Sequence, residues 1–303
     1  MQVTGAFNLL IRPGLRRDFR DNYDQYEQEF SRYLEVASTD MPEQSATIFT
    51  GLSRLFEIGE GEPITYDSPK IGPKVMAVDK EYGVGVAITK RNMEDDQYGK
   101  MRESSKWLAH AARMTDEYRS AQLLDDAFTG ATFLGIDQKA LMASDHPFLN
   151  ATGTQSNIAA NPIGISVSGI TALLDLAMNT KDHNGDPIVV NLNKLLIGNS
   201  SRDLNRALQV LGSASEPWTA ENQDNAIKKR IGGTEIIVSR FKADKKPYFM
   251  FDSNLNDLHF LRRRPVTMDD ENDFNTGNAL FKVTTRFLIW FVDWRGWVGS
   301  NPT

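Results

Sequence analysis

The histidines are the residues whose side chains suit metal binding or general acid–base catalysis best. The sequence has four: His110, His146, His183 and His259. None lies in an HxH, HxxxH or HExxH pattern, the spacings that place two imidazoles on one metal ion. Asp145–His146 and Asp182–His183 are acid–histidine pairs, but both lie in turn-forming sequence, where aspartate is favoured for bonds to the local backbone. We therefore predict no catalytic residue and no metal site.

Other catalytic and cofactor-binding patterns are also missing from the sequence. Gly83 and Gly85 are followed neither by GK[ST] nor by a third glycine that opens a helix, so both phosphate-binding fingerprints are absent. No G-x-S-x-G elbow occurs. The chain has no cysteine, which excludes disulfides and thiolate catalysis. We expect no cofactor, and an enzyme of unknown class stays an alternative that would need a convergent polar site.

The one dense basic cluster is Arg262-Arg263-Arg264. We interpret it as a solvated or salt-bridged surface turn that Pro265 ends. Contact with phosphate or with an acidic neighbour is the alternative. The acidic run Asp269–Asp273, which we interpret as a second turn, is a candidate partner for the arginines within one subunit or between subunits.

Composition limits the partners of the chain. Its 303 residues include 34 Lys and Arg against 40 Asp and Glu, a formal net charge of −6. A protein that binds nucleic acid tightly normally has an excess of basic residues, because phosphate neutralisation supplies most of its affinity. The longest apolar run, Phe287–Val292, is far shorter than the roughly 20 residues of a membrane span. We expect no membrane segment, no signal peptide and no tight binding of DNA.

The N-terminal third of the sequence predicts one helix and one hairpin. Apolar residues that recur every three or four positions predict an amphipathic helix over Leu15–Ala37, packed on its own domain or on a neighbouring subunit. Two β-rich runs follow, Lys74–Val78 and Val84–Thr89. The turn-like residues Asp79–Gly83 lie between them, so we predict a long two-stranded hairpin that needs support from a partner surface.

The middle of the sequence predicts a long helix and then an α/β region. Asp96–Phe128 lacks proline and predicts a helix of roughly 50 Å, capped by Asp95 or Asp96 and stopped by Gly130. From about residue 162, helices are predicted after Ser168 and over Leu204–Leu211. Strands are predicted at Ile188–Val190, Leu195–Ile197, Thr234–Ser239 and Tyr248–Phe251. A C-terminal strand, Phe281–Val292, is apolar on one face and then on both, as expected where it is buried on both sides.

Several groups of residues, in chain order, resemble the Mu-like major head subunit family, a branch of the tailed-phage coat proteins with the Hong Kong 97 fold. They are Tyr82–Val86 with Met93–Gly99, Ser144–Pro147 with Thr152–Asn157, and Arg262–Pro265 with Thr276–Lys282 and Asp293–Gly296. Each match is modest by itself. Their order, and their spread over most of the chain from Tyr82 to Ser300, make the resemblance specific.

The resemblance implies an α+β fold of Hong Kong 97 type. Such a fold has an N-terminal arm, an extended hairpin loop (E-loop), a peripheral domain with a long spine helix and a small sheet, and an axial α/β domain. The expected divisions are the arm at 1–57, the loop at 58–94, the peripheral domain at 95–161, the axial domain at 162–245, and the return to the peripheral sheet at 246–303.

The resemblance also implies a function as the major capsid protein. Copies would self-assemble into hexamers and pentamers of an icosahedral head in the virion, made in the host bacterial cytoplasm around non-specifically held double-stranded DNA. Implied partners are scaffold, portal and a maturation protease. An encapsulin-like nanocompartment shell is the alternative. The residues predicted to contact neighbouring subunits are Lys74, Val84, Val86, Ile88, Arg262, Arg263, Arg264, Asp269 and Asp270.

Overall fold

The computed structural model describes residues 4–52, 54–64, 66–94, 100–218, 224–273 and 275–302. Its helices are α1 (Thr4–Asp24), α2 (Lys90–Glu94), α3 (Lys100–Asp125), α4 (Val167–Met178), α5 (Ser201–Gly212) and α6 (Ala226–Ile231). Its strands are β1 (Glu35–Ser38), β2 (Glu43–Phe49), β3 (Ile71–Val78), β4 (Lys80–Ile88), β5 (His146–Pro147), β6 (Thr154–Gln155), β7 (Lys194–Gly198), β8 (Glu235–Ser239), β9 (Tyr248–Phe251), β10 (Leu258–Asn272), β11 (Ala279–Phe291) and β12 (Trp297–Ser300). No helix within these ranges is long and apolar enough to cross a membrane.

A peripheral unit is formed by α3 and a sheet with the strand order β1-β10-β11-β4. Phe281 and Val283 of β11 pack with Leu108 and Ala112 of α3, while Lys282 between them is exposed. This confirms the predicted alternation of the C-terminal strand. Near its end the opposite face is buried too, because Leu288 and Trp290 pack with residues of β2 and β3. The predicted burial on both sides is therefore confirmed.

An axial unit is formed by α4, α5 and α6 packed with a second sheet, of order β12-β9-β7-β8. The N-cap of α4 is Ser166, whose Oγ accepts from Gly169 N at 3.1 Å, and not the predicted Ser168. Ser166 has the extended backbone that an N-cap requires, whereas Ser168 lies inside the first turn. Ile188–Val190, predicted as a strand, has no regular structure. Its neighbours 182–186 form a turn closed by the bond from Asp182 N to Asp186 O.

The helix predicted over Leu15–Ala37 ends early, at Asp24. Two buried side chains of α3 form hydrogen bonds with a backbone C=O and a backbone N–H group that a longer helix would pair within itself. Arg113 Nη2 donates to Tyr26 O at 2.6 Å, and Glu117 Oε1 accepts from Glu29 N at 2.9 Å. The chain then passes through a 3₁₀ turn and pairs β1 with β10.

The described part of α1 packs on its own subunit. Leu15 and Phe19 are buried with residues of α3, and Ser105 Oγ donates to Leu15 O at 2.8 Å. The helix was expected to pack either on its own domain or on a neighbouring subunit, and the structure shows the contact with its own domain.

The long helix is shorter than predicted at its C-terminal end. It stops at Asp125, and the next residue, Asp126, accepts from the backbone N–H groups of Ala131, Thr132 and Phe133 at 2.7–2.8 Å. Gly130, the predicted stop, has a left-handed φ of 62° in the turn that follows. The predicted caps Asp95 and Asp96 lie outside the described residues.

The predicted pairing of Lys74–Val78 with Val84–Thr89 is wrong. β3 pairs with β2, and β4 pairs with β11. Asp79, between β3 and β4, donates its N–H to Pro42 O, so the chain changes sheets at this residue without making a hairpin. β2 was missed because most of its residues are polar or small.

The two turns predicted around Pro265 are also wrong, because the basic run and the acidic run up to Asn272 lie within β10. The pairing with β11 shifts register on either side of Arg264, which is where a proline is tolerated in a strand. The turn that joins β10 to β11 comes later, where Gly277 N donates to Asp273 O at 2.8 Å.

Replacing Glu117 by glutamine tests the cost of its burial on α3. Burial raises the pKa of Glu117 to about 7, whereas a glutamate in the unfolded chain titrates near 4.3. The folded state therefore binds the proton more tightly, and wild-type stability is lost as pH rises between about 4 and 7. We measure the free energy of unfolding in urea. Relative to wild type, we expect that of Glu117→Gln to rise by on the order of 3 kcal/mol between pH 5 and pH 8.

The matched control is Glu103→Gln, a change at an exposed position of the same helix. Its stability should follow wild type at both pH values. A pH-independent difference between Glu117→Gln and wild type would contradict the role of burial.

Candidate intersubunit surfaces

We call residues 43–78 the ribbon; as far as the structure describes them, they are β2, β3 and a loop, residues 50–70, between the two strands. Within the described ranges, ten of the 24 large apolar side chains that are exposed belong to the ribbon. They are Phe49, Leu52, Leu55, Phe56, Ile58, Ile64, Tyr66, Ile71, Met76 and Val78. Such a concentration of apolar surface is typical of a site that another protein surface covers.

The root of the ribbon loop, where the loop begins and ends, is closed by hydrogen bonds within the ribbon. Thr50 is buried and closes the loop, with Thr50 N donating to Lys70 O at 3.0 Å and Lys70 N donating to Thr50 Oγ1 at 2.9 Å. Further along, Arg54 forms an ion pair with Asp186 of the axial unit. Beyond this pair the described residues of the loop, 55–64 and 66–70, include no helix or strand, and Leu55 is fully exposed.

A carboxylate between two arginines holds the ribbon to the peripheral sheet. The side chain of Asp79 has no exposed surface. Arg263 Nη1 of β10 lies 3.0 Å from its Oδ2, and Arg286 Nε of β11 lies 2.6 Å from the same atom. We call these three residues the Asp79 clasp. The clasp fixes the point where the ribbon leaves the sheet.

The other two arginines of the basic cluster also pair within the subunit. Arg262 Nη2 donates to Asp116 Oδ2 of α3 at 2.7 Å, on the sheet face opposite to the clasp. Arg264 Nη2 donates to Glu81 Oε1 of β4 at 2.6 Å. Within the subunit the acidic run is therefore not the partner of this cluster, and its Asp270 instead accepts from Arg16 at 2.8 Å.

The remaining predicted contact residues differ in exposure. Lys74 on β3 and Asp269 on β10 are exposed, and Val84 on β4 is 46% exposed. Val86 and Ile88 are half-buried against the core under α3. A contact of any of the nine predicted residues with a neighbouring subunit stays a prediction. The sequence did not single out the ribbon loop, which holds six of the ribbon's ten exposed apolar residues.

His146 and His183 make packing and polar contacts within the subunit. His146 is fully buried, lies 2.5 Å from Asp137 rather than bonding Asp145, and stacks on Trp294 with ring centres 4.0 Å apart. His183 lies 3.0–3.2 Å from the guanidinium of Arg295. Burial and this guanidinium lower the pKa of His183. The stack joins two of the segments that resemble the head-subunit family, Ser144–Pro147 and Asp293–Gly296.

No group of three or more His, Cys, Asp or Glu side chains that could hold a metal ion occurs among the residues that the structure describes. The histidine contacts that do form, such as that of His146 with Asp137, lie within the fold. What the surface offers chemically is apolar area and charge for contact with another macromolecule.

Comparison with known proteins identifies the family of the chain. The family model described as phage capsid protein matches residues 74–300, more than half of the sequence. No curated protein sequence matches the chain.

Solved structures share the fold at low sequence identity. A capsid structure of the cyanophage P-SCSP1u matches with a TM-score of 0.56 and 12% identity, covering 89% of this chain and 86% of that chain. A procapsid of bacteriophage JBD30 matches at 0.54 and 13%, covering 99% and 77%. A virus-like particle from Pyrococcus furiosus matches at 0.52 and 13%, covering 95% and 98%. The predicted α+β fold of Hong Kong 97 type is confirmed, while membership of the Mu-like branch stays a prediction.

Replacing Asp79 by asparagine tests the clasp. The change leaves Arg263 and Arg286 next to each other without the carboxylate that they share, so we expect the unassembled subunit to lose about 3 kcal/mol of unfolding free energy in urea. Glu81→Gln is the matched control, because Glu81 pairs with Arg264 at the exposed surface. If the two changes lowered the unfolding free energy equally, the clasp would stabilise the fold no more than an exposed ion pair does.

Proposed function

Since the chain belongs to the phage capsid protein family and is a structural shell protein, we propose that its copies assemble into hexamers and pentamers that close an icosahedral head around double-stranded DNA. The observation that supports self-assembly is the ribbon, with its apolar side chains exposed on an unassembled subunit. The proposal includes no enzymatic activity.

The ribbon suits contacts that must be made at slightly different angles. A pentamer and a hexamer place neighbouring subunits differently, so a rigid apolar patch would fit only one of them. Half of the loop, about ten residues, spans up to roughly 35 Å when extended. A loop of this length, anchored at a fixed root, can follow a neighbour in either ring. Closure then makes many modest contacts act together.

The charge of the chain favours containment of DNA over tight binding. With a net charge of −6, the subunit has no large excess of basic residues to neutralise phosphate. We propose that the lining holds DNA non-specifically, which leaves packaging and release unhindered.

The remaining elements of the proposal rest on the resemblance to the head-subunit family. They are the scaffold, portal and maturation protease as partners, assembly in the host bacterial cytoplasm, and a place in the virion capsid. The domain divisions stay predictions, except that we assign the extended loop to the ribbon, residues 43–78, because β3 pairs with β2.

The nanocompartment alternative is not favoured. The likeness to the virus-like particle from Pyrococcus furiosus is at 13% identity and shows the fold alone. The family match, in contrast, is to phage capsid protein.

Removing apolar groups from the ribbon loop should prevent assembly without unfolding the subunit. Phe56 and Tyr66 are 55% and 93% exposed, so Phe56→Ser with Tyr66→Ser leaves the core intact. We expect at least a tenfold lower yield of shells in sedimentation and negative-stain electron microscopy, with the protein expressed alone and with its neighbouring scaffold gene.

The control is Val189→Ser, which changes an apolar residue outside the ribbon that is 80% exposed. It should assemble as wild type does. A wild-type protein that stays monomeric in both expressions, with no rings at high concentration, would refute the proposed function.

A further inference from the structure

We propose that Glu117 is a proton switch that controls how firmly the connector, residues 25–34 between α1 and β1, is held against α3 and the axial unit. With the proton bound, the connector packs closely on both. When the proton is lost, the connector is released more often. This inference goes beyond the proposed function, because it concerns motion within one subunit. The setting of the carboxyl group, the charges around it and the contacts of the connector support it.

Glu117 is buried with only one of its oxygens paired. It lies on α3 and is 1% exposed. Its Oε1 accepts from Glu29 N of the connector at 2.9 Å, whereas its Oε2 has no hydrogen-bond partner among the described residues. A carboxylate that leaves water with an unpaired oxygen is destabilised, so this setting favours the neutral acid over the ionised form.

The charged groups around Glu117 do not compensate for a charge on it. Glu29 places a second carboxylate close to it from the connector. The base one helical turn earlier, Arg113, donates to Tyr26 O through Nη2, and its Nε and Nη1 have no partner in the part of the chain that the structure describes. Burial and the Glu29 carboxylate raise the pKa of Glu117 to about 7, although the connector N–H groups and Arg113 act in the opposite direction. The carboxyl group therefore gains or loses its proton near neutral pH.

Tyr33 of the connector extends this acidic cluster to the axial unit. The tyrosine is 1% exposed and lies beside Ser239 at the end of β8. Its side chain is near three carboxyl groups, those of Glu117, Glu29 and Asp125. Burial, reinforced by these three groups, raises the pKa of Tyr33, so its hydroxyl stays neutral. An ionised Glu117 therefore adds a negative charge to a buried site that already holds two acids.

The same acids join the connector and α3 to the axial unit. Glu29 Oε2 accepts from Arg240 N at 3.0 Å, and Glu29 Oε1 lies 3.3 Å from Arg240 Nη1. Asp125, the last residue of α3, accepts from Ala243 N at 3.0 Å. Both partners belong to the loop that follows β8. Repulsion between Glu117 and Glu29 therefore weakens the contacts of the connector with α3 and with this loop.

The pH range of the switch follows from the two states of Glu117. In the released state the side chain meets water, where a glutamate titrates near about 4.3. Between about pH 4 and 7 the released state loses a proton that the closed state keeps, so release becomes up to about tenfold more frequent with each pH unit. Above about pH 7 both states are ionised, and the equilibrium levels off. The connector is therefore held most firmly at acid pH.

Amide hydrogen exchange of the purified, unassembled subunit, followed by mass spectrometry, tests the switch. The probes are the peptides with Glu29 N–H and Arg240 N–H, because each group donates to a carboxyl group of the cluster. After correction for the intrinsic pH dependence of exchange, their protection should fall about tenfold per pH unit from about pH 5 to 7 and then level off. In Glu117→Gln, whose side chain does not titrate, protection should change less than about threefold over this range.

Glu103→Gln, at an exposed position of α3, is the matched control and should keep the wild-type pH dependence. Glu29→Gln removes the neighbouring carboxylate, so exchange should level off at a lower pH than in wild type. The N–H of Phe287 in β11 should stay at least about tenfold better protected than either probe at neutral pH, since release is local and leaves the core strand folded.

The switch is overturned if wild type and Glu117→Gln show the same pH dependence, or if the probes are as well protected as the N–H of Phe287. If Glu117→Gln does not fold, an unchanged levelling-off pH in Glu29→Gln overturns it. Because the subunit is measured unassembled, these outcomes are independent of whether its copies form shells.

Discussion

Two buried carboxylates hold the peripheral unit together, and the rest of the fold is arranged around them. Asp79 and Asp116 have no exposed side-chain surface, and a carboxylate buried without a partner would cost several kcal/mol. Adjacent residues of β10 supply the partners on opposite faces of the sheet: Arg262 reaches Asp116 of α3, and Arg263 reaches Asp79. One strand thus fixes the long helix on one side and the ribbon on the other.

This arrangement separates a rigid frame from an adaptable contact surface. Trp297 stacks on Phe251 in a core that also includes Phe287, so the peripheral and axial units share their packing. The ribbon leaves this frame, the packed peripheral and axial units, at the Asp79 clasp. The part of its loop that the structure describes, in contrast, contains no helix or strand. A shell subunit needs both properties, because its position must be defined while its neighbours differ.

The sequence allowed prediction of elements whose apolar residues follow one period. β11 and α5 were found in this way, since α5 has one buried face and most of β11 alternates between a buried and a more exposed face. The end of α1 could not be predicted, because Phe30 and Tyr33 continue its spacing and only the side chains of α3 end the helix. The arginines of β10 indicated a turn for a similar reason. Their carboxylate partners lie 146 and 184 residues away, and no local pattern reveals such pairs.

The candidate surface was harder still to predict. Apolar residues such as Ile64 and Tyr66 look like core residues in a sequence, and only the structure shows that their own subunit leaves them uncovered. The motifs that carry the family resemblance lie mainly in the frame, where His146 stacks on Trp294. They identify the fold and the function better than they identify the contacts.

The irregular backbone of the ribbon loop has a consequence for how errors of shell assembly would be corrected. Fixing one residue costs about 1–2 kcal/mol of conformational entropy, so ordering even five or six of them offsets much of the free energy of burying four apolar side chains. In the proposed assembly, a single loop that contacts a neighbour would therefore hold it only briefly. A subunit that joined a growing ring at the wrong angle could leave again before closure, because no one contact would be strong enough to trap the error.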